Sequence, residues 1–388
     1  MGRPWGTIGI IGGGQLGMMT AREAHRMGFR SVVLDPDINC SASRVADEII
    51  ASRFDDVKAA EQLARSCDVI TYEFEHIDAG AVELIADKKN VFPKSSVLRT
   101  AQNRQTEKAW LQRHGFPTAD FGIAHDGQSL RSIAQEVGLP VVVKTTLTGY
   151  DGKGQSILRS ESELRRFVES FVPSETVVEK FLELEAELSV IVAREQNGRS
   201  WVFPIALNAH RNNILHTSIA PAPVADDLLR RAHEIGKSVC ERLGVVGLLC
   251  VELFLTTGGE LLVNELAPRP HNSGHWSLDG CSMSQFEALV RTITGLPMRA
   301  PEVLQPTAIV NLLGKHVERL DQAALCRIDG TRLHLYGKMR IEPNRKMGHV
   351  SVVRKSIESL LEGVNAIEQC IGETVSDFTQ FEWGVVNV

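Results

Sequence analysis

No C-x-x-C pair occurs among the seven cysteines, Cys40, Cys67, Cys240, Cys250, Cys281, Cys326 and Cys370, and their odd number argues against a disulfide framework. That excludes a disulfide-stapled scaffold and a cysteine-paired zinc module, and it suits a reducing, cytoplasmic setting. No stretch reaches the ~18 apolar residues that a membrane-crossing helix needs. The opening MGRPWGTIG runs almost directly into a strand pattern and leaves no room for an apolar signal segment. A basic excess is lacking as well. Lys and Arg number 42 against 48 Asp and Glu, a formal net charge of -6, which argues against a nucleic-acid partner. Small anions stay admissible, because local cationic clusters hold them on an acidic protein.

What is present is a globular balance, 43% hydrophobic and 23% charged over 388 residues, long enough for two or three domains. Residues 1–95 alternate strand and helix patterns: Thr7 to Ile11 and Ser31 to Leu34 as strands, Gly17 to Met27 as a helix closed by Gly28, and Val69 to Tyr72 as a further strand. This predicts a parallel α/β unit. A polar helix is expected from about Thr100 to His114. From Pro140 the texture becomes β-rich, with PVVVK, ETVVEKFL, ELSVIVA and WVFPIAL, then a helix from about Asp226 to Leu243 and the apolar strands VVGLLCVELFLT and ELLVNELAP. That section, residues 96–300, reads as α+β. The Gly/Pro-punctuated β pattern after Pro301 predicts a small third domain over residues 301–388.

Four features carry chemistry. Gly12-Gly13-Gly14-Gln15-Leu16-Gly17 satisfies G-x-G-x-x-G between a strand and a helix, where free amides and the helix dipole favour an anion. Asp35 ends the second strand, where an acid for a ribose would stand. Alone, the match also fits a tight strand-to-helix turn. The loop GYDGKGQ, residues 149–155, follows Lys144; its glycines let the backbone close over a ligand, and Lys144 and Lys153 bring charge suited to polyphosphate. It is not a P-loop, since no Gly-Lys-Ser/Thr follows at the required spacing. Glu252 and Glu265 lie in neighbouring apolar strands; if those strands pair, the two carboxylates could hold Mg2+ through oxygen. Finally, LAPRPHNSGHW crowds Arg269, His271, Asn272 and His275 into a proline-fixed loop, with a planar cation for carboxylate, bicarbonate or phosphate and imidazoles for proton transfer.

Lys144, GYDGKGQ, VVEKFLELEAE, Glu252 and NELAPRPHNSGHW, in this order, resemble ATP-grasp enzymes. Over its whole length the chain is similar to the 5-(carboxyamino)imidazole ribonucleotide synthases of purine biosynthesis. The resemblance implies an ATP-grasp fold with an N-terminal Rossmann-like (pre-ATP-grasp) domain and a small C-terminal β-rich domain. It implies ATP, Mg2+, bicarbonate and aminoimidazole ribonucleotide as reactants, carboxyphosphate as the intermediate, and a homodimer. For ATP it points to Arg104, Lys144, His210 and the loop Gly149, Tyr150, Asp151, Gly152, Lys153, Gly154 and Gln155. Lys108, four residues after Arg104, joins them on the same helical face. Glu179, Lys180, Phe181 and Leu182 are implied as the adenine hinge, Glu187 as the ribose acid, and Asn264 and Glu265 with Glu252 as the ATP and metal site. For the ribonucleotide it implies Gln15, Leu16, Glu73, Tyr150, Asp151, Arg269, His271, Arg345 and Lys346, with Gly12, Gly14 and Gly17 presenting amides to its phosphate. The catalytic expectations are Lys144 on the phosphates, Arg269 on bicarbonate and the transferred phosphoryl group, His271 in proton transfer and Tyr150 in closure. Met18, Thr145 to Thr148 and Asn344 depart from the family pattern.

Two rivals were set against this reading. A nicotinamide-dependent dehydrogenase accounts only for residues 8–35, and another ATP-grasp ligase, such as formate-dependent glycinamide ribonucleotide transformylase, shares the lysine and glutamates.

Overall fold

The computed structural model describes residues 6–147 and 154–376. Its N-terminal unit is a parallel sheet of β1 (Thr7–Ile11), β2 (Arg30–Asp35), β3 (Glu48–Ala51), β4 (Val69–Tyr72) and β5 (Asn90–Val91), in the order β3-β2-β1-β4-β5. In β1, Ile8, Ile10 and Ile11 are all buried, as a central parallel strand covered on both faces requires. Chain direction across the sheet switches beside β1, so the loops after β1 and β4 open a crevice at the carboxyl edge. The short β3, with only Ile50 buried, carries too weak a pattern to be read from sequence.

Helix α1 (Gln15–Arg26) starts two residues earlier than expected and has no cap of its own at Gly14. Its cap comes from a neighbour: the Glu73 carboxylate, just past β4, accepts the amides of Gly14 and Gly17, the latter at 2.6 Å. The glycine spacing follows from that close approach. A Cβ on Gly12, whose φ is +99°, would stand 2.5 Å from Glu73 Cγ, and one on Gly14 would stand 2.6 Å from Glu73 Oε1. Asp35 takes the Gly13 amide at 2.7 Å. These amides are therefore held by the protein's own carboxylates, which corrects the expectation that they face a ligand phosphate.

Helices α2 (Val57–Ser66) and α3 (Ala79–Ala86) complete the unit. The single polar helix expected over 100–114 is two, α4 (Ser95–Gln102) and α5 (Arg104–Arg113). Asn103, in extended conformation, ends the first and caps the second by accepting the amides of Gln105 and Thr106.

Next come β6 (Phe121–Ala124), α6 (Gly127–Val137), β7 (Val141–Thr145), β8 (Gln155–Leu158), α7 (Glu161–Glu169) and β9 (Thr176–Lys180), whose strands form an antiparallel sheet in the order β6-β9-β7-β8. Residues 181–183 lead from β9 into β10 (Leu184–Arg194) and a second, nine-stranded sheet. The run WVFPIAL divides into β11 (Ser200–Val202) and β12 (Ala206–Arg211), because Pro204 has no ladder donor. After β13 (Ile214–Ala220) and α8 (Asp226–Leu243), the apolar strands are β14 (Gly247–Thr256) and β15 (Leu261–Ala267).

The β pattern after Pro301 makes β16 (Thr307–Leu313), β17 (Thr331–Leu335) and β18 (Lys346–Val353). These do not form a sheet of their own. β16 pairs antiparallel with β13, giving the order β15-β14-β10-β12-β13-β16-β18-β17, with β11 against β10. The C-terminal strands thus extend the sheet that carries Glu252 and Glu265. All seven cysteines are free, and among the described residues no helix is long and apolar enough to cross a membrane.

Substituting Gly12 with alanine adds a Cβ against Glu73 at a positive φ. We expect chemical denaturation to show a loss of about 2 kcal/mol; an unchanged midpoint would mean that Glu73 is not wedged against this turn.

Candidate active site

The crevice is lined by carboxylates that each find a cation or an amide. At the end of β4, burial pushes the Glu73 carboxyl up against the lowering effect of the Gly17 and Gly14 amides. The positive charge of Lys338, in the segment after β17, also lowers it; Lys338 Nζ donates to the Lys346 carbonyl at 2.7 Å. The sequence reading did not single out Lys338. Glu75 binds Arg269 bidentately, from Nε at 2.5 Å and Nη2 at 3.0 Å. Burial opposes the charge on Glu75, but Arg269 wins and its carboxyl falls to about 2. The backbone of that loop is fixed by Gln102, which donates to the carbonyls of Glu75 and Ile77.

On the ATP-grasp side, Glu179 stands on β9 between two lysines, Lys144 Nζ at 2.8 Å and Lys108 Nζ at 3.0 Å. Against its burial, the lysines lower its carboxyl to about 2. Lys108 is only 2% exposed, so its helical face is buried, not solvated. Lys180 is exposed, whereas Phe181 and Leu182 are half-buried; the Lys180 and Phe181 amides donate to the Asp120 and Pro140 carbonyls. Glu187 Oε1 lies 3.1 Å from His210 Nδ1. Burial works against the His210 charge, yet Glu187 and Glu252 raise its pKa.

β14 and β15 pair so that Glu252 and Glu265 stand directly opposite. The register then slips: the next pair is Leu253 with Val263, which leaves Asn264 as the extra residue of a bulge. The bulge interrupts the alternation of β15, and Asn264 and Glu265 are both half-buried in succession. Like charges opposed across a ladder are unfavourable. Burial and then Glu252 raise the Glu265 pKa, partly offset by Arg104, whose Nη2 is 3.6 Å away. A pair of hard oxygen donors that disfavours its own second charge suits a divalent cation. Among the described residues no group of three or more His, Cys, Asp or Glu converges.

His271 Nε2 lies 2.8 Å from Glu252 Oε1. Burial disfavours its charge, while the Glu252 carboxylate beside it raises its pKa above the ordinary histidine value; its Nδ1 accepts the Ser273 amide at 3.3 Å. Its loop is pinned by the buried Gln285, which exchanges hydrogen bonds of 2.8 Å with the His271 backbone, and by an amide pair between Asn272 and Asn311.

An ATP-grasp domain matches residues 109–286, a ribonucleotide synthetase preATP-grasp domain residues 5–102, and a phosphoribosylaminoimidazole carboxylase C-terminal domain residues 307–363. The N5-carboxyaminoimidazole ribonucleotide synthase of Bacillus subtilis (strain 168) is 40% identical over 361 residues, which cover 93% of this chain and 95% of that protein. The chain belongs to the N5-carboxyaminoimidazole ribonucleotide synthase family. The Staphylococcus aureus synthetase solved with ADP matches at 38% identity and TM-score 0.87, over 92% of this chain and 95% of that one. The Aspergillus clavatus synthase solved with ADP and 5-aminoimidazole ribonucleotide matches at 28% identity and TM-score 0.89, over 95% of this chain and 99% of that one. Its relatives are thus synthases; the transformylase alternative is not favoured.

The remaining site positions fall into this synthase frame unevenly. Arg104, Lys108, Lys144, Glu179, Arg269, His271, Glu252 and Glu265 are linked through the ion pairs above. Gln15 is half-buried at the start of α1, while Leu16 packs its side chain into the core, as does Met18. Arg345 is exposed, and its Nη1 donates to the Arg340 carbonyl at 3.0 Å; Lys346 opens β18 half-buried. Gly154 takes a φ of +74° and its carbonyl accepts the Thr145 amide, starting the β7–β8 ladder that Gln155 enters. Gly149, Tyr150, Asp151, Gly152 and Lys153 lie outside the described residues.

Replacing Glu179 by glutamine leaves the buried Lys108 and the half-buried Lys144 without their counter-charge, and we expect a loss of about 3 kcal/mol at neutral pH. Because the folded carboxyl is lowered from 4.5 to about 2, its contribution is full above pH 4.5 and is lost as pH falls towards 2. Acid titration of stability should therefore be flatter for Glu179→Gln than for the wild type across that window; parallel curves would contradict the assignment.

Proposed function

We propose that this protein carboxylates 5-aminoimidazole ribonucleotide with bicarbonate at the expense of ATP, giving N5-carboxyaminoimidazole ribonucleotide, ADP and phosphate. Family membership supports the ligase class and the purine-biosynthetic role. The observation that carries the chemistry is the Arg269–Glu75 pair, which joins the crevice of the N-terminal sheet to the carboxylates of the ATP-grasp sheet.

Bicarbonate is a poor electrophile, and phosphorylation by ATP converts it to carboxyphosphate. Lys144 and Arg104 are assigned to the polyphosphate, residues 179–182 to the adenine and Glu187 to the ribose hydroxyls, from which a carboxylate accepts. Mg2+, held between Glu252 and Glu265 when bound, would neutralise charge on the phosphates. Arg269, whose pKa is raised by Glu75, stays a cation throughout the usable pH range, and the Nη1–Nη2 end of its guanidinium, beyond the edge taken by Glu75, is assigned to bicarbonate. His271, paired with Glu252 through Nε2, is assigned proton transfer at the departing phosphate. Carbon dioxide or carboxyphosphate then meets the amine of the ribonucleotide in the adjoining crevice, where Lys346 and Arg345 are proposed for its 5-phosphate and Glu73 for its ribose. Water must be excluded, since carboxyphosphate hydrolyses; Tyr150, Asp151 and the rest of the glycine loop are assigned that closure. The free thiols support a cytoplasmic setting, and a homodimer is the assembly we propose.

Phosphate release from ATP, measured with Mg2+ and bicarbonate, should rise severalfold on adding aminoimidazole ribonucleotide, and a flat response would sink the substrate assignment. Lys346→Ala should raise KM for the ribonucleotide by roughly 10-fold or more, with KM for ATP little changed. A selective effect on ATP would place Lys346 elsewhere.

A further inference from the structure

Helix α5 carries three ionic side chains whose partners lie on two different sheets. Arg104 reaches Glu265 on β15 at 3.6 Å, and Lys108 reaches Glu179 on β9 at 3.0 Å. Between them Glu107, 2% exposed, accepts the backbone amide of Leu266 through Oε2 at 2.9 Å. A carboxylate is costly to bury on a helix that could have turned it to water, and the chemistry above gives it no part.

Its partner is in a particular place. β15 is the edge strand of the nine-stranded sheet, and Leu266 is the first residue after Glu265, directly beyond the Asn264 bulge. A bulge interrupts the ladder, and an edge strand has a neighbouring strand on one side only. On the outer side the Val263 amide, before the bulge, donates to the Pro117 carbonyl at 2.7 Å, and the Glu107 carboxyl takes the Leu266 amide after it, so the bulge is restrained on both flanks.

We propose that Glu107 is a positioning residue for the metal-nucleotide site: by holding the Leu266 amide it fixes the β15 bulge, so that Asn264 and Glu265 are presented together to the Mg2+-nucleotide. The inference rests on the ATP-site reading above and adds to it a residue that touches neither nucleotide nor metal. It differs from a general ionic brace in what matters: the acceptor atom and its reach, not the charge.

Two substitutions separate these. Glu107→Gln keeps an acceptor oxygen at the same reach and cannot ionise, whereas Glu107→Asp keeps the ionisable carboxyl and draws the oxygen back by one methylene. The readout is calorimetric affinity for ADP with Mn2+ and for ADP alone, beside thermal midpoints. Glu107→Gln should hold Mn2+-ADP within about 3-fold of wild type, while Glu107→Asp should lose roughly 10-fold or more, with affinity for ADP alone unchanged in both. Equal affinities in wild type and Glu107→Asp, a greater loss in Glu107→Gln, or a fall in thermal midpoint without any change in Mn2+-ADP binding would each overturn the inference. Should Glu107→Asp fail to fold, hydrogen exchange at the Leu266 amide decides: protection in Glu107→Gln as in wild type supports the role, and fast exchange overturns it. Absence of ribonucleotide-stimulated phosphate release from the wild type would defeat the substrate reading, while the Mn2+-ADP comparison would still judge this one.

Discussion

The ion pair between Arg269 and Glu75 is the join on which the site depends. It spans 194 residues of sequence and ties the loop after β4 to the loop after β15, so the crevice of a parallel sheet and the carboxylates of an antiparallel one share a wall. Both groups are largely buried, with side-chain exposures of 16% and 20%. Removing either partner would leave the other charge stranded. The pair also holds Arg269 in one orientation, its Nε–Nη2 edge on Glu75 and its Nη1 donating to the Pro270 carbonyl.

The same logic repeats around the cleft. Glu179 is fixed by Lys108 and Lys144, Glu252 by His271, Glu187 by His210, and Glu73 by two amides of the α1 turn. Glu265 is the exception. It is 42% exposed on its side chain, with Arg104 at 3.6 Å and a like charge opposite. The most weakly satisfied carboxylate is therefore one of the two we assign to the cation that comes with the nucleotide.

Much of this was legible in the sequence, for identifiable reasons. β1, β4, β14 and β15 are runs of apolar residues long enough to read, and acids inside such runs stand out because burial is costly. The turn at Gly12 to Gly17 shows the limit of motif reading. Its glycines and its amides serve an anion, as the spacing suggested, but the anion is Glu73, brought in from 56 residues away by the parallel β1–β4 pairing. Glu107 and Lys108 were harder still. On a helix as polar as α5 they look like solvated residues, and only the packing of two sheets against that helix buries them. The bulge at Asn264 leaves no mark on the pattern ELLVNELAP beyond two adjacent polar residues. Likewise, the strands after Pro301 belong to the C-terminal domain that their punctuation suggests, but their pairing to β13 leaves no mark in the sequence.

If Arg269 and Glu75 act as one unit, a double-mutant cycle must show it. With kcat/KM for aminoimidazole ribonucleotide measured for Glu75→Gln, Arg269→Gln and the double variant, the account predicts that the second substitution adds almost nothing to the first, a coupling of at least about 10-fold. Losses that simply multiply would contradict it.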